Sequence, residues 1–201
     1  MEKPKLLVVA GPNGSGKTTF TRQLLKDHWS EDCEFINPDD IAKEKFGDWN
    51  SPEAVIKAAN LAAQYRLRCL AEKRSMVLET VLSREDKIDF IRQAREGGFF
   101  VRLFFIGTDD PMINAERVAI RVESGGHTVP LEKIISRYYR SLALCIYAAQ
   151  IADRTYAYDN SKTGAAPAAL FRTREGVIAK RYAALKDHRW AQEILREIEG
   201  S

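Results

Sequence analysis

The chain is poor in cysteine, histidine and long apolar runs, and each shortage removes a class of function. Its 201 residues hold three cysteines, Cys33, Cys69 and Cys145, an odd number spread far apart. That argues against a disulfide framework or a Cys-x-x-Cys metal site and leaves the three as reduced, structural thiols. No stretch approaches the roughly 18 apolar residues of a membrane span. Before the first glycine the apolar run is only Leu6-Leu7-Val8-Val9-Ala10, too short for the core of a signal peptide, so the expected compartment is the cytoplasm, away from membranes. Neither sign of charge dominates: 31 Lys and Arg against 28 Asp and Glu give +3. Such a balance fits an anionic ligand but is too small and dispersed to imply a nucleic-acid partner, and none is expected. Zinc-site spacings, a serine-nucleophile elbow, RNA-binding motifs, internal repeats and low-complexity segments are also missing. The length suits one α/β domain over residues 1–201, and the composition is that of a globular protein.

Against these absences stands one intact motif. Residues Gly11-Pro12-Asn13-Gly14-Ser15-Gly16-Lys17-Thr18 read G-x-x-x-x-G-K-[ST], directly after Leu6–Ala10. A buried strand running through a glycine-rich turn into a helix lets backbone N–H groups cradle phosphates, helped by the positive end of the helix dipole. The loop through Thr19 is therefore expected to bind ATP, with Lys17 reaching the β- and γ-phosphates and Thr18 placing its hydroxyl on Mg²⁺.

Periodicity organises the rest. Helical spacing covers residues 18–26, the stretch from Ile41, residues 52–73 with Val55, Ala59, Ala62, Leu67 and Leu70 as inward candidates, and residues 84–96. Further helices are read from Asp109-Asp110-Pro111 to Ser124 and from Pro130 to Ala152. Short, mostly apolar stretches at residues 6–10, 34–36, 76–78, 99–106 and 156–158 read as strands. This alternation predicts an α/β three-layer sandwich over about residues 5–161, a mostly parallel five-stranded sheet with helices on both faces. A C-terminal β-hairpin and helix are expected over about 168–199, after a mobile linker at Lys162–Pro167.

Ligands of such sheets bind beyond the carboxyl ends of the strands. Asp39 and Asp40 follow the second strand and Glu79 the third. A kinase needs a carboxylate to accept the proton of an attacking hydroxyl, and Asp39 is assigned that role; capping of the helix at Ile41 by one of the two aspartates is the structural alternative. Glu79, ending an apolar strand, must be solvated in a cleft or paired; it would hold the substrate or an Mg²⁺-bound water. Arg117 and Arg121 on one helix and Arg137 and Arg140 on the next, with Gly125-Gly126-His127 as hinge, can neutralise a transferring phosphoryl group or simply form solvated helix faces. No apolar strand ends in Asp-Asp or Asp-Glu, which disfavours hydrolysis as the main activity. A phosphotransferase with a hydroxyl acceptor is the reading that follows; a kinase of another nucleotide or small metabolite, or a slowly hydrolysing ATP-binding regulatory module, is the alternative.

Gly11 to Thr19, Asn37-Pro38-Asp39, Leu78-Glu79-Thr80-Val81-Leu82-Ser83, Arg121 and Gly125-Gly126-His127-Thr128-Val129-Pro130 together resemble the zeta-toxin family of P-loop kinases. The resemblance implies phosphorylation of a hydroxyl of a nucleotide sugar such as UDP-N-acetylglucosamine by ATP and Mg²⁺. It also implies a small helical antitoxin as partner. By position it makes Asp39 the base, gives Glu79 and Thr80 to the substrate, with Asp40 and His127 beside them, and puts Arg121 on the transferring group. The family's second arginine falls at or near His127, and Arg137 or Arg140 stands in reserve for its duty toward the nucleotide.

Overall fold

The computed structural model describes residues 2–47, 51–123 and 128–200. Strand β1 (Lys5–Ala10) lies inside one seven-stranded sheet with β2 (Glu34–Ile36), β3 (Met76–Thr80), β4 (Phe100–Gly107), β5 (Arg154–Asp159), β6 (Ala168–Arg174) and β7 (Val177–Arg181), in the order β2-β3-β1-β4-β5-β6-β7. The first five are parallel, β6 runs antiparallel to β5, and β7 antiparallel to β6. Because β1 is paired on both edges and covered on both faces, Leu6 to Ala10 are fully buried, which is why the strand reads as an unbroken apolar run.

The sheet has seven strands, not five with a detached hairpin. Leu170 and Phe171 are fully buried, so the hairpin turns an apolar side into the main core while its backbone pairs the otherwise open edge of β5. The helices are α1 (Lys17–Leu24), α2 (Pro38–Lys45), α3 (Pro52–Ala71), α4 (Glu85–Glu96), α5 (Pro111–Glu123), α6 (Leu131–Ile151) and α7 (Arg189–Glu199). Their two layers are unequal. The larger core takes side chains from α2, α3, α4, α6 and α7; the smaller, on the opposite face, is closed by α1 and a 3-10 turn at His28–Ser30, where Trp29 stacks on Phe104.

Several boundaries differ from the sequence reading, each for a local reason. Helix α2 opens at Pro38, and its cap is Asn37, whose Oδ1 accepts the Asp39 N–H at 3.0 Å. Asp39 and Asp40 therefore stand in the first turn, favourable to the helix dipole, rather than capping at Ile41. In α3 the buried stripe is Ala54, Ala58, Ala62 and Cys69, while Val55 and Leu67 are exposed. Small residues let that helix approach the sheet closely. Strand β3 continues through Glu79 and Thr80, and a 3-10 turn at Ala183–Asp187 precedes α7. No described helix is long and apolar enough to cross a membrane.

Candidate active site

Between β1 and α1 the chain makes the turn that the glycine pattern requires. Gly14 and Gly16 have φ of 75° and 95°, the left-handed region that side chains avoid. A Cβ on Gly14 would lie 2.5 Å from the Asn114 carbonyl oxygen. The loop is thus pressed against α5, and Asn114 Nδ2 holds it by donating to the Asn13 carbonyl at 2.5 Å. Asn114 is itself fixed by the Thr108 hydroxyl, and the Thr108 carbonyl accepts the Tyr138 hydroxyl at 2.6 Å. From the other side Asn160, just past β5, donates Nδ2 to the Ser15 carbonyl at 2.8 Å. These clamps fix the loop before any ligand arrives.

Lys17, Thr18, Glu79 and Arg121 gather at its mouth. Lys17 is buried and donates to the Pro12 carbonyl at 2.8 Å. Desolvation pulls its ammonium down to about 8; Glu79 opposes the shift and Arg121 reinforces it. Glu79 faces α1 because β3 pairs with β1 in a register that sets Glu79 beside Val9. Its Oε1 accepts the Thr18 hydroxyl at 2.9 Å and its Oε2 the Thr21 hydroxyl at 3.1 Å. A hydroxyl and a carboxylate side by side are the hard oxygen donors that Mg²⁺ takes. Within the loop, the buried Ser15 Oγ has no protein partner and is a hydroxyl free to donate to an anion; the buried Asn13 Oδ1, an acceptor, is also without one.

The other expected residues divide. Asp39 and Asp40 are exposed at the carboxyl end of β2, which pairs with β3, which in turn pairs with β1. Two strand spacings, about 10 Å, separate them laterally from the phosphate loop. Thr80 is buried, and its Oγ1 accepts the N–H of Leu82, which sits at φ 53°. Arg117 does not point into solvent as one face of an arginine stripe: its guanidinium donates to the Asn160 and Ser161 carbonyls at 2.7 and 3.1 Å, just before the Lys162–Pro167 stretch that the sequence reads as a mobile linker, and to the Thr163 hydroxyl oxygen within that stretch at 3.4 Å. Arg140 lines a groove of about 530 Å³ with Ser83 of the loop after β3 and Asp86 of the first turn of α4, and Arg137 is half-buried nearby on α6. His127 and its glycine hinge lie outside the described residues.

Sequence reasoning missed Asn114 and Asn160, the two clamps. Asn160 carries a weak signal, a polar residue at the end of the fifth strand; Asn114 carries none until α5 is folded over the loop. It also missed the tail's part in the site. Trp190 of α7 packs so closely under Gly107 that a Cβ there would come within 2.5 Å of the ring. His188 sits between Asp109 at 2.8 Å and Asp159 at 3.5 Å, pinning the tail to the strand ends.

A sheet of this strand order with a phosphate loop leaving the middle one of its five parallel strands defines the P-loop kinase-like fold. The chain belongs to the AAA domain family, whose profile matches residues 6–141. An uncharacterized protein of Haemophilus influenzae is 28% identical over 134 residues, 67% of this chain and 92% of its own. Among solved structures, the PezAT chromosomal toxin–antitoxin system of Streptococcus pneumoniae matches with a TM-score of 0.63 at 16% identity, over 100% of this chain and 85% of that one. The AvrRxo1-ORF1:-ORF2 complex with ATP matches with a TM-score of 0.69 at 20% identity, over 92% of this chain and 63% of the other. This chain thus spans less than two thirds of that neighbour, and at these identities the likeness is one of fold.

Proposed function

We propose that this chain is an ATP- and Mg²⁺-dependent kinase that moves the γ-phosphate onto a hydroxyl of a nucleotide sugar of the UDP-N-acetylglucosamine kind, as the toxin of a toxin–antitoxin pair. The observation that carries the kinase reading is the Thr18–Glu79 hydrogen bond beside buried Lys17. A toxin–antitoxin system among the fold neighbours and the zeta-toxin-like sequence motifs support the finer assignment.

In this reading Lys17 and the loop N–H groups hold the phosphates, and Arg121 neutralises charge on the transferring group. Thr18 and Glu79 would hold Mg²⁺, which when bound offsets the charge of the phosphate oxygens. The acceptor lies across the strand that separates Asp39 from the loop, held by Thr80 and Asp40. Asp39 takes the proton of its hydroxyl as the oxygen bonds to the γ-phosphorus; the bond to the β–γ bridging oxygen breaks, and ADP leaves. Glu79 thereby serves the metal side of the site rather than the acceptor. Residues 1–201 act as one kinase domain.

The test is ³¹P NMR of protein, ATP, Mg²⁺ and UDP-sugars, with expression toxicity measured in parallel. The reading expects a new phosphomonoester that Asp39→Ala abolishes without loss of nucleotide binding, and toxicity that Lys17→Ala relieves. Formation of ADP at a rate independent of every acceptor would refute it.

A further inference from the structure

Far from the phosphate loop, the sheet register gathers cations that are scattered in sequence. Arg102 on β4 pairs with Arg154 on β5, and Arg154 with Arg174 on β6, so three arginines form one row across the strands on the α1 face. In the adjoining row Tyr156 pairs with Arg172 and Arg172 with Lys180 on β7. On the α1 side, α1 and Trp29 cover the sheet as far as β5, where Trp29 packs on Tyr156 and Phe20 on Tyr158, and the cluster they close takes no residue from β6 or β7. The helical elements that contact the hairpin bury Leu185 and Trp190 in the core on the opposite face. Arg174 and Lys180 are exposed, and Arg154 and Arg172 partly so.

Two properties of these cations identify a ligand. Among the described residues, none of the five makes an ion pair with a carboxylate, whereas Arg181, on the opposite face of β7, pairs with Glu199. Four of them instead lie over aromatic rings: Arg102 at 4.5 Å from the Trp29 centroid and 5.2 Å from Phe100, Arg154 at 5.9 Å from Phe100, Arg172 at 4.9 Å from Tyr156, and Lys180 at 4.7 Å from Tyr182. Arg102 Nε is buried with no hydrogen-bond partner. A cavity of about 280 Å³ opens at this end of the row, walled by Phe100, Leu7, Arg102, Lys3, Lys5 and Glu2, the last 3.7 Å from Lys5. That is near the lower limit for a small-ligand site, enough for one base.

We propose that this sheet face binds single-stranded nucleic acid. Cations with no carboxylate partner supply phosphate contacts, and ring-backed guanidinium planes offer stacking surfaces to unpaired bases. The row runs across the strands, so the ligand lies over the sheet. A peptide adding to the free edge of β7 would run parallel to that strand and meet few of these groups. The net charge of +3 conceals the patch because acidic residues elsewhere balance it.

The test is fluorescence anisotropy on the full chain with labelled single-stranded RNA and DNA of about 12 nucleotides, a duplex of equal length and a labelled poly-glutamate peptide. Salt is varied from about 50 to 200 mM. Single strands bind best, with a slope of log affinity on log salt of about −2 to −4. Arg154→Gln/Arg174→Gln/Lys180→Gln, checked for an unchanged thermal midpoint, weakens binding at least about tenfold and flattens the slope by about 2. Lys57→Gln/Arg68→Gln, which removes charge from α3, leaves both intact. The proposal is overturned if neither oligonucleotide binds at low salt, if the α3 variant loses as much as the sheet variant, or if poly-glutamate binds more tightly than the single strands.

Discussion

The Thr18 hydroxyl at the start of α1 donates to Glu79 Oε1 on β3 at 2.9 Å. If this contact marks the metal side of the site, Glu79→Gln keeps the shape and loses the charge. Titration calorimetry with a non-hydrolysable ATP analogue should then show Mg²⁺ affinity falling about 10- to 100-fold, with metal-free nucleotide binding retained. Unchanged Mg²⁺ affinity would return Glu79 to the acceptor side.

Lys17 gives the site a pH signature. Its folded value, about 8, lies below the ordinary 10.5, so between those values the unfolded chain holds the extra proton. Stability therefore rises with pH through that window, and below it the penalty of the buried charge is fully present. Lys17→Met is accordingly expected to raise the urea midpoint of the ligand-free protein at pH 7. Nucleotide affinity should weaken above about pH 8, as the free enzyme loses the charge that meets the phosphates, and proton uptake on binding should appear as a buffer-dependent heat. A midpoint lowered by the substitution would contradict this view of Lys17.

Asp39 and Asn37 are close in sequence but have separable duties. Asp39→Asn should lower kcat by about 10²- to 10⁴-fold with nucleotide affinity unchanged. Asn37→Ala, which removes the α2 cap, should cost about 1 kcal/mol of stability and leave kcat nearly intact. Urea unfolding and steady-state kinetics on the two variants distinguish base from cap.

Arg117 braces the segment that carries Asn160, and Asn160 holds the phosphate loop. Arg117→Met should weaken nucleotide binding by about tenfold, the order expected for losing hydrogen bonds from a charged group. Kcat at saturating ATP should change much less. A collapse of kcat with normal affinity would instead place Arg117 on the transferring phosphate.

The tail is part of the fold that positions the site. Trp190 is buried beneath Gly107 and its indole N–H lies 3.4 Å from Asp159. Trp190→Ala should cost about 3–5 kcal/mol in urea unfolding. A loss below 1 kcal/mol would show that α7 is not integral to the core.

Local signals made the phosphate loop legible in the sequence, because Gly14 and Gly16 need positive φ and Lys17-Thr18 must follow at fixed spacing. The parallel core was legible for the same kind of reason: strands buried on both faces leave apolar runs such as Leu103 to Ile106. What the sequence concealed depends on neighbours distant along the chain. Glu79 reads as a strand-end carboxylate, and only the β3–β1 register brings it to Thr18. Arg117 reads as a surface cation, and only the return of β5 gives it carbonyls to hold. The hairpin's membership of the sheet turns on Leu170 and Phe171 facing a core whose extent no local pattern reports.

The central claim is that the γ-phosphate passes to a hydroxyl acceptor. The most direct measurement is to incubate the protein with ATP, Mg²⁺ and a metabolite extract containing UDP-sugars and to follow products by mass spectrometry. The account predicts one class of acceptor gaining a single phosphate in step with ADP formation, and loss of both in Asp39→Asn. ADP accumulating at the same rate with and without extract, with no phosphorylated metabolite, would contradict it.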